Sequence, residues 1–424
     1  MLYQFPYDYL PPLDIPDENL IGVFEAGRER PSASAADIVT RALRNPIGAP
    51  RLSELARGVS SALILCDDNT RYTPAHLVLP HVIDELRRGG LSNDRIRILI
   101  AAGTHRDLTR EERIAKMGES VVADHLVEYH RCASPEELVP VGKRIGDVEF
   151  LVNRRLRETD LVIGVGNIIP HSIKGYSGGG NIVLPGVSGS ASIGVMHWRN
   201  LDFTTEEILG VRDNPVREMI DDTALKAGLN FIVNTIVNNE VEILDTVAGH
   251  PIEAHREGTR RASRFFDVFI PRRADIVIFD SYKNDLDFWQ AWKGLMPAAA
   301  CMKPGGVVIT VAECREGIAH NAPEVEGYGF CEVETARMLC LSGELHPIVG
   351  HLIITVYRAI TEKGRGILVS RGISRERAEK VGFMYAGSPR EALDAAFGMK
   401  GRDASVIVLR HAGNIHPIIR DMRA

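Results

Sequence analysis

The chain has 424 residues, of which 45% are hydrophobic and 25% charged, and its formal net charge is −6. This composition predicts an ordinary globular protein of about two domains, and the negative charge argues against nucleic acid or a membrane surface as the main partner. No apolar run approaches the roughly 18 residues that span a bilayer, no signal peptide is evident, and the six cysteines form no C-x-x-C pair. We therefore expect a cytoplasmic protein with reduced thiols.

Apolar runs typical of strands alternate along the chain with segments typical of helices. The first forty residues are rich in Pro and Asp and are expected to wrap the surface. The predicted strands are, in order, ALILC, RIRILIAA, LVIGVGNI, NFIVNTIV, EVEILDTVAG, DIVIFD, GVVITVAE, HLIITVYR, GILVSRG and ASVIVLR. This alternation indicates an α/β fold with two domains, each with a mainly parallel sheet flanked by helices, and an active site in the cleft between them.

The stretch from His171 to His197 is the richest in glycine. It follows a predicted buried strand, and Ser188 or Ser190 is expected to cap a short helix that ends in the second histidine. Loop amides ahead of a helix N-terminus form an anion site, so this pattern favours the phosphate of a nucleotide-like ligand. The glycines match neither G-x-G-x-x-G nor the P-loop motif. A flexible surface turn is the alternative interpretation.

Polar side chains follow four predicted strands at the carboxyl end, where open α/β sheets bind ligands. They are Asp67, Asp68, Thr70 and Arg71, then Thr104, His105 and Arg106, then His171, and finally Gln290 and Lys293 on a helix after DIVIFD. Singly, each has an ordinary explanation: Asp and Thr shape turns, and isolated histidines are mostly structural. The two aspartates are also candidates for a Mg²⁺ site. Four converging strand ends predict a binding site.

Two further features bear on this site. An arginine at a strand end suits bidentate binding of carboxylate or phosphate. Gln290 and Lys293 lie three residues apart and share one helix face, and the neighbouring Trp289 and Trp292 indicate that this face is partly buried. His197 has no second histidine four residues away, so it can be a metal ligand only if other ligands come from outside the protein.

A new series of strands and helices starts near residue 274. We therefore place a domain boundary at Pro271–Arg273. The expected units are an N-terminal cofactor-binding domain over 1–270 and a C-terminal substrate-side domain over 274–400. The remaining segment, 401–424, is expected to pack back on the N-terminal domain.

The motifs DDNTRYTP, GTHR, H-x-x-x-GYSGG-x-x-x-x-x-PGVSG, MHWRN and WQAWKG occur in this order. Their combination resembles the nickel-dependent lactate racemase family over nearly the whole chain. The resemblance implies a nickel-pincer nucleotide, a pyridinium mononucleotide whose two sulfur-bearing arms and ring carbon hold nickel together with one protein histidine. Such a donor set suits square-planar Ni(II). It also implies cofactor-synthesis enzymes as partners.

Carried over position by position, the resemblance implies His197 as the nickel ligand and His105 and His171 as a pair of catalytic bases. The substrate-binding residues that it implies are Arg71, Gln290 and Lys293, which hold the carboxylate, with Trp289 beside them. The expected cofactor contacts are Asp68, Thr70, Ser177, Gly178, Gly179, Asn181 and Gly186.

The implied reaction inverts C2 of a 2-hydroxy acid. One histidine removes the hydroxyl proton while the C2 hydride moves to the pyridinium ring, and the planar 2-keto acid takes the hydride back on either face. Two bases are needed because each enantiomer presents its hydroxyl to a different side, and the near-neutral pKa of histidine suits this work.

Two positions depart from the family pattern. Family members with a covalent cofactor have a lysine ten residues after the histidine that corresponds to His171, and this chain has Asn181 there. Lys174 is on the other side of the glycine loop and does not match. We therefore expect a cofactor that is bound non-covalently, with loss of the cofactor as the alternative. Trp289 stands where tyrosine is expected in the lactate enzyme, which indicates a substrate other than lactate.

Three alternatives to a 2-hydroxy acid racemase remain. The nearest is an aldonate 2-epimerase with the same cofactor and a larger, polyhydroxylated substrate. The second is a non-catalytic nickel- or nucleotide-binding homologue, which would have no reason to keep both His105 and His171. A metal-dependent hydrolase is disfavoured because the sequence shows no cluster of carboxylate and histidine ligands.

Overall fold

Two six-stranded sheets form the framework of the protein, whose computed structural model describes residues 1–420. The strands are β1 (Leu2–Tyr3), β2 (Leu13–Asp14), β3 (Leu20–Glu25), β4 (Ala62–Asp67), β5 (Ile96–Ala101), β6 (Leu126–Tyr129), β7 (Leu138–Ile145), β8 (Val148–Asn153), β9 (Leu161–Asn167), β10 (Pro170–His171), β11 (Gly175–Tyr176), β12 (Phe231–Val237), β13 (Ile243–Gly249), β14 (Asp267–Ile270), β15 (Ala274–Asp280), β16 (Met302–Val311), β17 (Gly364–Val369), β18 (Met384–Tyr385), β19 (Val406–Arg410) and β20 (His416–Ile419).

The helices complete the α/β pattern that the sequence predicts. They are α1 (Ala35–Arg44), α2 (Leu52–Leu55), α3 (Ala75–Arg88), α4 (Arg110–Met117), α5 (Glu119–Asp124), α6 (Ser190–Asn200), α7 (Thr205–Ile208), α8 (Pro215–Ala227), α9 (Glu253–Phe266), α10 (Phe288–Cys301), α11 (Glu324–Tyr328), α12 (Val333–Leu341), α13 (Pro347–Tyr357), α14 (Arg375–Lys380) and α15 (Pro389–Lys400). Within residues 1–420, no helix is long and apolar enough to cross a membrane.

The first sheet has the strand order β13-β12-β9-β4-β5-β6 and is parallel except for the pair β12 and β13. Every residue of β4, β9 and β12 is buried, as expected for parallel strands that are covered on both faces. Strand β4 lies between β5 and β9. The chain first adds β5 and β6 on one side of β4 and later adds β9 and β12 on the other side. Such a switch point opens a crevice at the carboxyl ends of the strands.

The second sheet has the order β18-β17-β16-β15-β19-β3 and is parallel throughout. Its edge strand β3 comes from the start of the chain. The residues before β3 also pack on this sheet, since Phe5 and Leu13 share a buried cluster with Ile278, and the Tyr7 hydroxyl donates to Asp285 Oδ2 at 2.6 Å.

This pairing differs from the expected domain boundaries, which placed all of 1–270 in one unit, and from the expected surface position of the first forty residues. An isolated apolar run pairs with whichever sheet edge is free, and the free edge of β19 is formed by residues almost 400 positions away. At the other end of the chain, β19 belongs to the second sheet and β20 pairs with β14. The last four residues of the expected 401–424 segment lie outside the described residues.

One predicted strand is wrong. The run HLIITVYR forms the second half of helix α13, which starts at Pro347 with His346 as its N-cap. Because this helix is buried on nearly every side, its apolar residues carry no 3.6-residue periodicity, and a continuous apolar run of this length does not distinguish strand from helix. The two mainly parallel sheets with flanking helices nevertheless confirm the predicted α/β class.

Candidate active site

A cavity between the two sheets lies at the carboxyl ends of β4, β5 and β9 and is covered by α10 and α13 of the second domain. The sequence-predicted residues that line it are Asp68, Arg71, His105, His171, Ser177, Gly178, Gly179, Asn181, Gly186, His197, Trp289, Gln290 and Lys293. The convergence of four strand ends is therefore confirmed. Thr70 does not line the cavity, and Arg106 points away and pairs with Glu112.

His105 is oriented by a carboxylate. Its Nδ1 lies 2.5 Å from Asp68 Oδ2, and the Thr70 hydroxyl donates to the other oxygen of that carboxylate at 2.6 Å. Burial alone would raise the pKa of Asp68, but the adjacent His105 and Arg71 hold it below its usual range. An ionised carboxylate only accepts hydrogen bonds, so Nδ1 carries the proton and Nε2 keeps its lone pair. His105 is thus arranged as a proton acceptor.

His171 has the opposite arrangement. It lies in the short hairpin of β10 and β11, where its Nδ1 accepts a hydrogen bond from the backbone amide of Ile173 at 3.2 Å. Burial first, and then the nearby cations Lys174 and Lys293, lower the pKa of His171 well below its usual value. The neutral ring therefore carries its proton on Nε2 and presents a donor. One cavity thus holds one histidine prepared to accept a proton and one prepared to donate it.

His197 has the features of a metal ligand. Its Nδ1 donates to the carbonyl of Ile193, one helical turn earlier, at 2.9 Å, which leaves the Nε2 lone pair free. Burial lowers the pKa of His197 to about 4, so the ring is neutral at physiological pH. A neutral imidazole with its other nitrogen fixed by a carbonyl is the usual state of a metal-bound histidine. Within residues 1–420 no group of three or more His, Cys, Asp or Glu side chains is arranged to hold a metal.

Helix α6, which carries His197, is attached to the second domain. The Ser190 hydroxyl is 2.7 Å from His346 Nε2, and His351 Nε2 donates to Asn200 Oδ1 at 2.9 Å. The expected serine cap is wrong, because the N-cap is Gly189 and makes no side-chain hydrogen bond. Ser190 instead bridges the domains, so the position of His197 depends on both of them.

Helix α10 supplies the remaining polar groups. Asp287 caps its first turn by accepting from the amide of Gln290 at 2.9 Å. On the helix face that lines the cavity, Lys293 Nζ donates to the side-chain oxygen of Gln290. Burial, and next the positive charge of Arg71, lower the pKa of Lys293 to about 7. Two cationic groups and an amide therefore face the histidines across the cavity, which suits a carboxylate.

The glycine loop lines the cavity and is also packed closely against the protein behind it. The amide of Gly179 donates to Asn234 Oδ1 at 2.7 Å, and the amide of Gly186 donates to the carbonyl of Asn181. A Cβ at position 180 would lie 2.7 Å from Ala224, and one at position 186 would lie 2.2 Å from the carbonyl of Ile182. These glycines permit close packing, and the amides of Gly179 and Gly186 already have protein acceptors. The phosphate site predicted on this loop stays a prediction.

Sequence reasoning missed Lys174. The hairpin that holds His171 turns back at once, pairing it with Gly175, and the turn brings Lys174 into the cavity that the glycine loop lines. Asn181 lines the same cavity, and its buried side-chain oxygen has no hydrogen-bond partner within residues 1–420. No signal in the sequence reveals the lysine, because its placement depends on a two-residue strand pair.

The fold and this cavity define a two-domain α/β protein whose candidate site lies at the strand ends of one domain and is covered by helices of the other. The chain belongs to the lactate racemase family. The model of the lactate racemase N-terminal domain matches residues 9–207, and the model of the lactate racemase C-terminal domain matches residues 270–415. The resemblance noted in the sequence is thereby confirmed.

Similar proteins agree with this assignment. A lactate racemase of Thermoanaerobacterium thermosaccharolyticum is 35% identical over 72% of each chain, and one of Lactiplantibacillus plantarum is 30% identical over 93% of this chain and 94% of its own. The structure of the lactate racemase apoprotein from the first organism superimposes with a TM-score of 0.89, at 29% identity over 99% of this chain and 100% of that one. A Thermotoga maritima protein with a TM-score of 0.72 and 20% identity, covering 91% and 97%, shares the fold.

Proposed function

We propose that this protein is a racemase or epimerase that inverts C2 of a 2-hydroxy acid, using a nickel-pincer nucleotide bound non-covalently. The proposal depends above all on one observation: His105, His171 and a neutral His197 line one cavity together with Arg71, Gln290 and Lys293. The relatives named lactate racemase support the reaction class. The expected partners are a small 2-hydroxy acid and the cofactor-synthesis enzymes, and the expected compartment is the cytoplasm.

The residues of the cavity fit the proposed cofactor. The free Nε2 of His197 would be the single protein ligand of nickel. The unpartnered side-chain oxygen of Asn181 can accept a hydrogen bond from the bound group. Bound there, the nucleotide would supply the acceptor and donor of the C2 hydride. A non-catalytic carrier is disfavoured, since it would not need two histidines prepared for proton transfer.

The protein groups perform the proton chemistry. Arg71 and Lys293 bind the substrate carboxylate, and this holds C2 and its hydroxyl between the two histidines. From one enantiomer His105 Nε2 takes the hydroxyl proton, with Asp68 stabilising the imidazolium that forms. On the other face of the carbonyl, His171 takes up a proton from solvent, returns a proton to the oxygen through Nε2 and is left neutral, while the imidazolium of His105 releases its proton to solvent. The reverse direction exchanges these roles.

The aldonate 2-epimerase is the second candidate. A wider cleft of about 560 Å³ opens outside the cavity and shares His105, Trp289 and Gln290 with it. Its walls include Asn284, Asn321 and other polar side chains, which suit the hydroxyl groups of a longer substrate. Racemisation assays with lactate, larger 2-hydroxy acids and aldonates would separate the two candidates.

The charge state of Lys293 predicts how substrate binding depends on pH. With a pKa lowered to about 7, the amine is charged below this pH and neutral above it. We expect the KM of the holoenzyme for its 2-hydroxy acid to rise about fivefold between pH 7 and pH 8, because a neutral amine loses its attraction for the carboxylate. In Lys293→Arg, which stays charged, KM should not change over this range. An equally steep rise in that variant would contradict the assignment.

Asn181 predicts the way in which the cofactor is held. Its amide cannot form the thioamide link of a lysine, so the holoprotein should release the cofactor on denaturation and show its unmodified mass. The measurement is a comparison of native and denaturing mass spectra of protein produced together with the cofactor-synthesis enzymes. A mass increase that survives denaturation would show a covalent link and contradict the non-covalent proposal.

A further inference from the structure

Within residues 1–420, the Lys174 amine lies in the cavity without an anionic partner. The residue is 3% exposed, and within residues 1–420 its Nζ makes no hydrogen bond or ion pair. Lys116, another buried lysine, differs in this respect, since its Nζ lies 2.8 Å from Asp67 Oδ1 and donates to the carbonyl of Arg71 at 2.9 Å. Burying an amine without a partner is unfavourable, so folding alone does not explain Lys174.

The charges around Lys174 all have the same sign. Arg71, Arg217 and Lys293 are close enough to affect it, and burial together with these cations lowers the pKa of Lys174 well below its usual value. The two acids that line the cavity already have partners, since Asp68 is paired with His105 and Asp67 with Lys116. The cavity therefore has more positive groups than one substrate carboxylate requires, and an anion bound beside Lys174 would stabilise its charged form.

Lys174 is placed to act on a group near the metal ligand, and not only on the substrate. It lines the same cavity as His197, the candidate nickel ligand, and His171. Asn181 faces the same cavity in place of a linking lysine. A cofactor arm that is not converted to a thioamide keeps its negative charge, and this charge needs a cation near the metal ligand.

We propose that Lys174 binds the free thiocarboxylate arm of the nucleotide as an ion pair. This inference rests on the proposed function and adds to it the group that replaces the covalent link. The linking residue is lost at position 181, and a cation seven residues earlier in the chain holds the same arm by charge. Lys174 makes no covalent bond in this arrangement.

The test compares the parent with Lys174→Met and Lys174→Arg, each produced together with the cofactor-synthesis enzymes. Nickel per protein is measured after extensive dialysis, with Lys226→Met, an exposed lysine, as the matched control. We expect Lys174→Met to retain about tenfold less nickel or lower still, because it loses a charged hydrogen bond. Lys174→Arg should retain more than the methionine variant, and the control should equal the parent.

A second measurement separates binding from folding. The cofactor-free Lys174→Met protein should melt at or above the temperature of the parent, because methionine fills the site without an amine to desolvate. The ion pair would be overturned if Lys174→Met retained as much nickel as the parent, or if the parent carried a covalent adduct on Lys174 after denaturation. In both of these outcomes the parent still holds nickel. A parent that holds no nickel nucleotide at all would overturn the proposed function, and this inference with it.

Discussion

Replacement of His197 by alanine is expected to reduce nickel retention to background, about a hundredfold or more below the parent. The imidazole is the only protein ligand proposed for the metal, and its Nδ1 is already committed to the carbonyl of Ile193. The adjacent His351 is not placed to replace it, since its Nε2 donates to Asn200. The measurement is metal analysis of protein produced together with the cofactor-synthesis enzymes.

The matched control for this experiment is His76→Ala, which removes an exposed histidine of helix α3. The melting temperature of cofactor-free His197→Ala should stay near that of the parent, because the ring packs edge-on against His351 at a centroid distance of 5.3 Å and bears no ion pair. If His197→Ala holds as much nickel as the parent and the control, the ligand assignment is wrong.

His105→Ala and His171→Ala should each lower the rate of interconversion of enantiomers by about 10²–10⁴-fold, the usual contribution of a general acid or base. The full cycle needs a proton transferred on both faces of the 2-keto acid, so neither histidine can serve for the other. The assay follows the conversion of one enantiomer into the other. Hydrogen–deuterium exchange is a poor readout, because a returned hydride need not exchange with water.

Nickel content distinguishes a catalytic effect from a loss of the cofactor in these variants. Both should retain nickel at the level of the parent, since neither histidine is proposed to bind the metal, and added imidazole should restore part of the activity of the alanine variants. Full interconversion in either variant would contradict the mechanism with two histidines. Activity lost together with nickel would mean that the residue holds the cofactor instead.

The Nδ1 atoms of the two histidines make hydrogen bonds of opposite direction, and these bonds fix a different tautomer for each ring. Asp68 fixes the proton of His105 on Nδ1, whereas the amide of Ile173 leaves that of His171 on Nε2. Asp68→Asn keeps the shape but removes the charge that stabilises the imidazolium of His105, so the carboxylate acts as a positioning residue. Thr70, predicted as a cofactor contact, donates to the same carboxylate in this structure.

Much of the site could be predicted from local sequence because parallel strands place their carboxyl ends on one edge. Asp68, His105 and His171 each follow an apolar run that is fully or almost fully buried, so their meeting requires only that β4, β5 and β9 be neighbours. Gln290 and Lys293 share a face because helical residues three apart do so. These relations depend on the spacing of residues close together in the chain.

The sequence by itself therefore determined the α/β class, the family and the set of candidate site residues. The tertiary structure alone decided which sheet β3 joins, that HLIITVYR is helical, which nitrogen of each histidine is free, and that Lys174 enters the cavity. The physical reason is that these features depend on partners far apart in the chain or on the exact path of a short turn. Neither hydrophobic periodicity nor residue spacing records them.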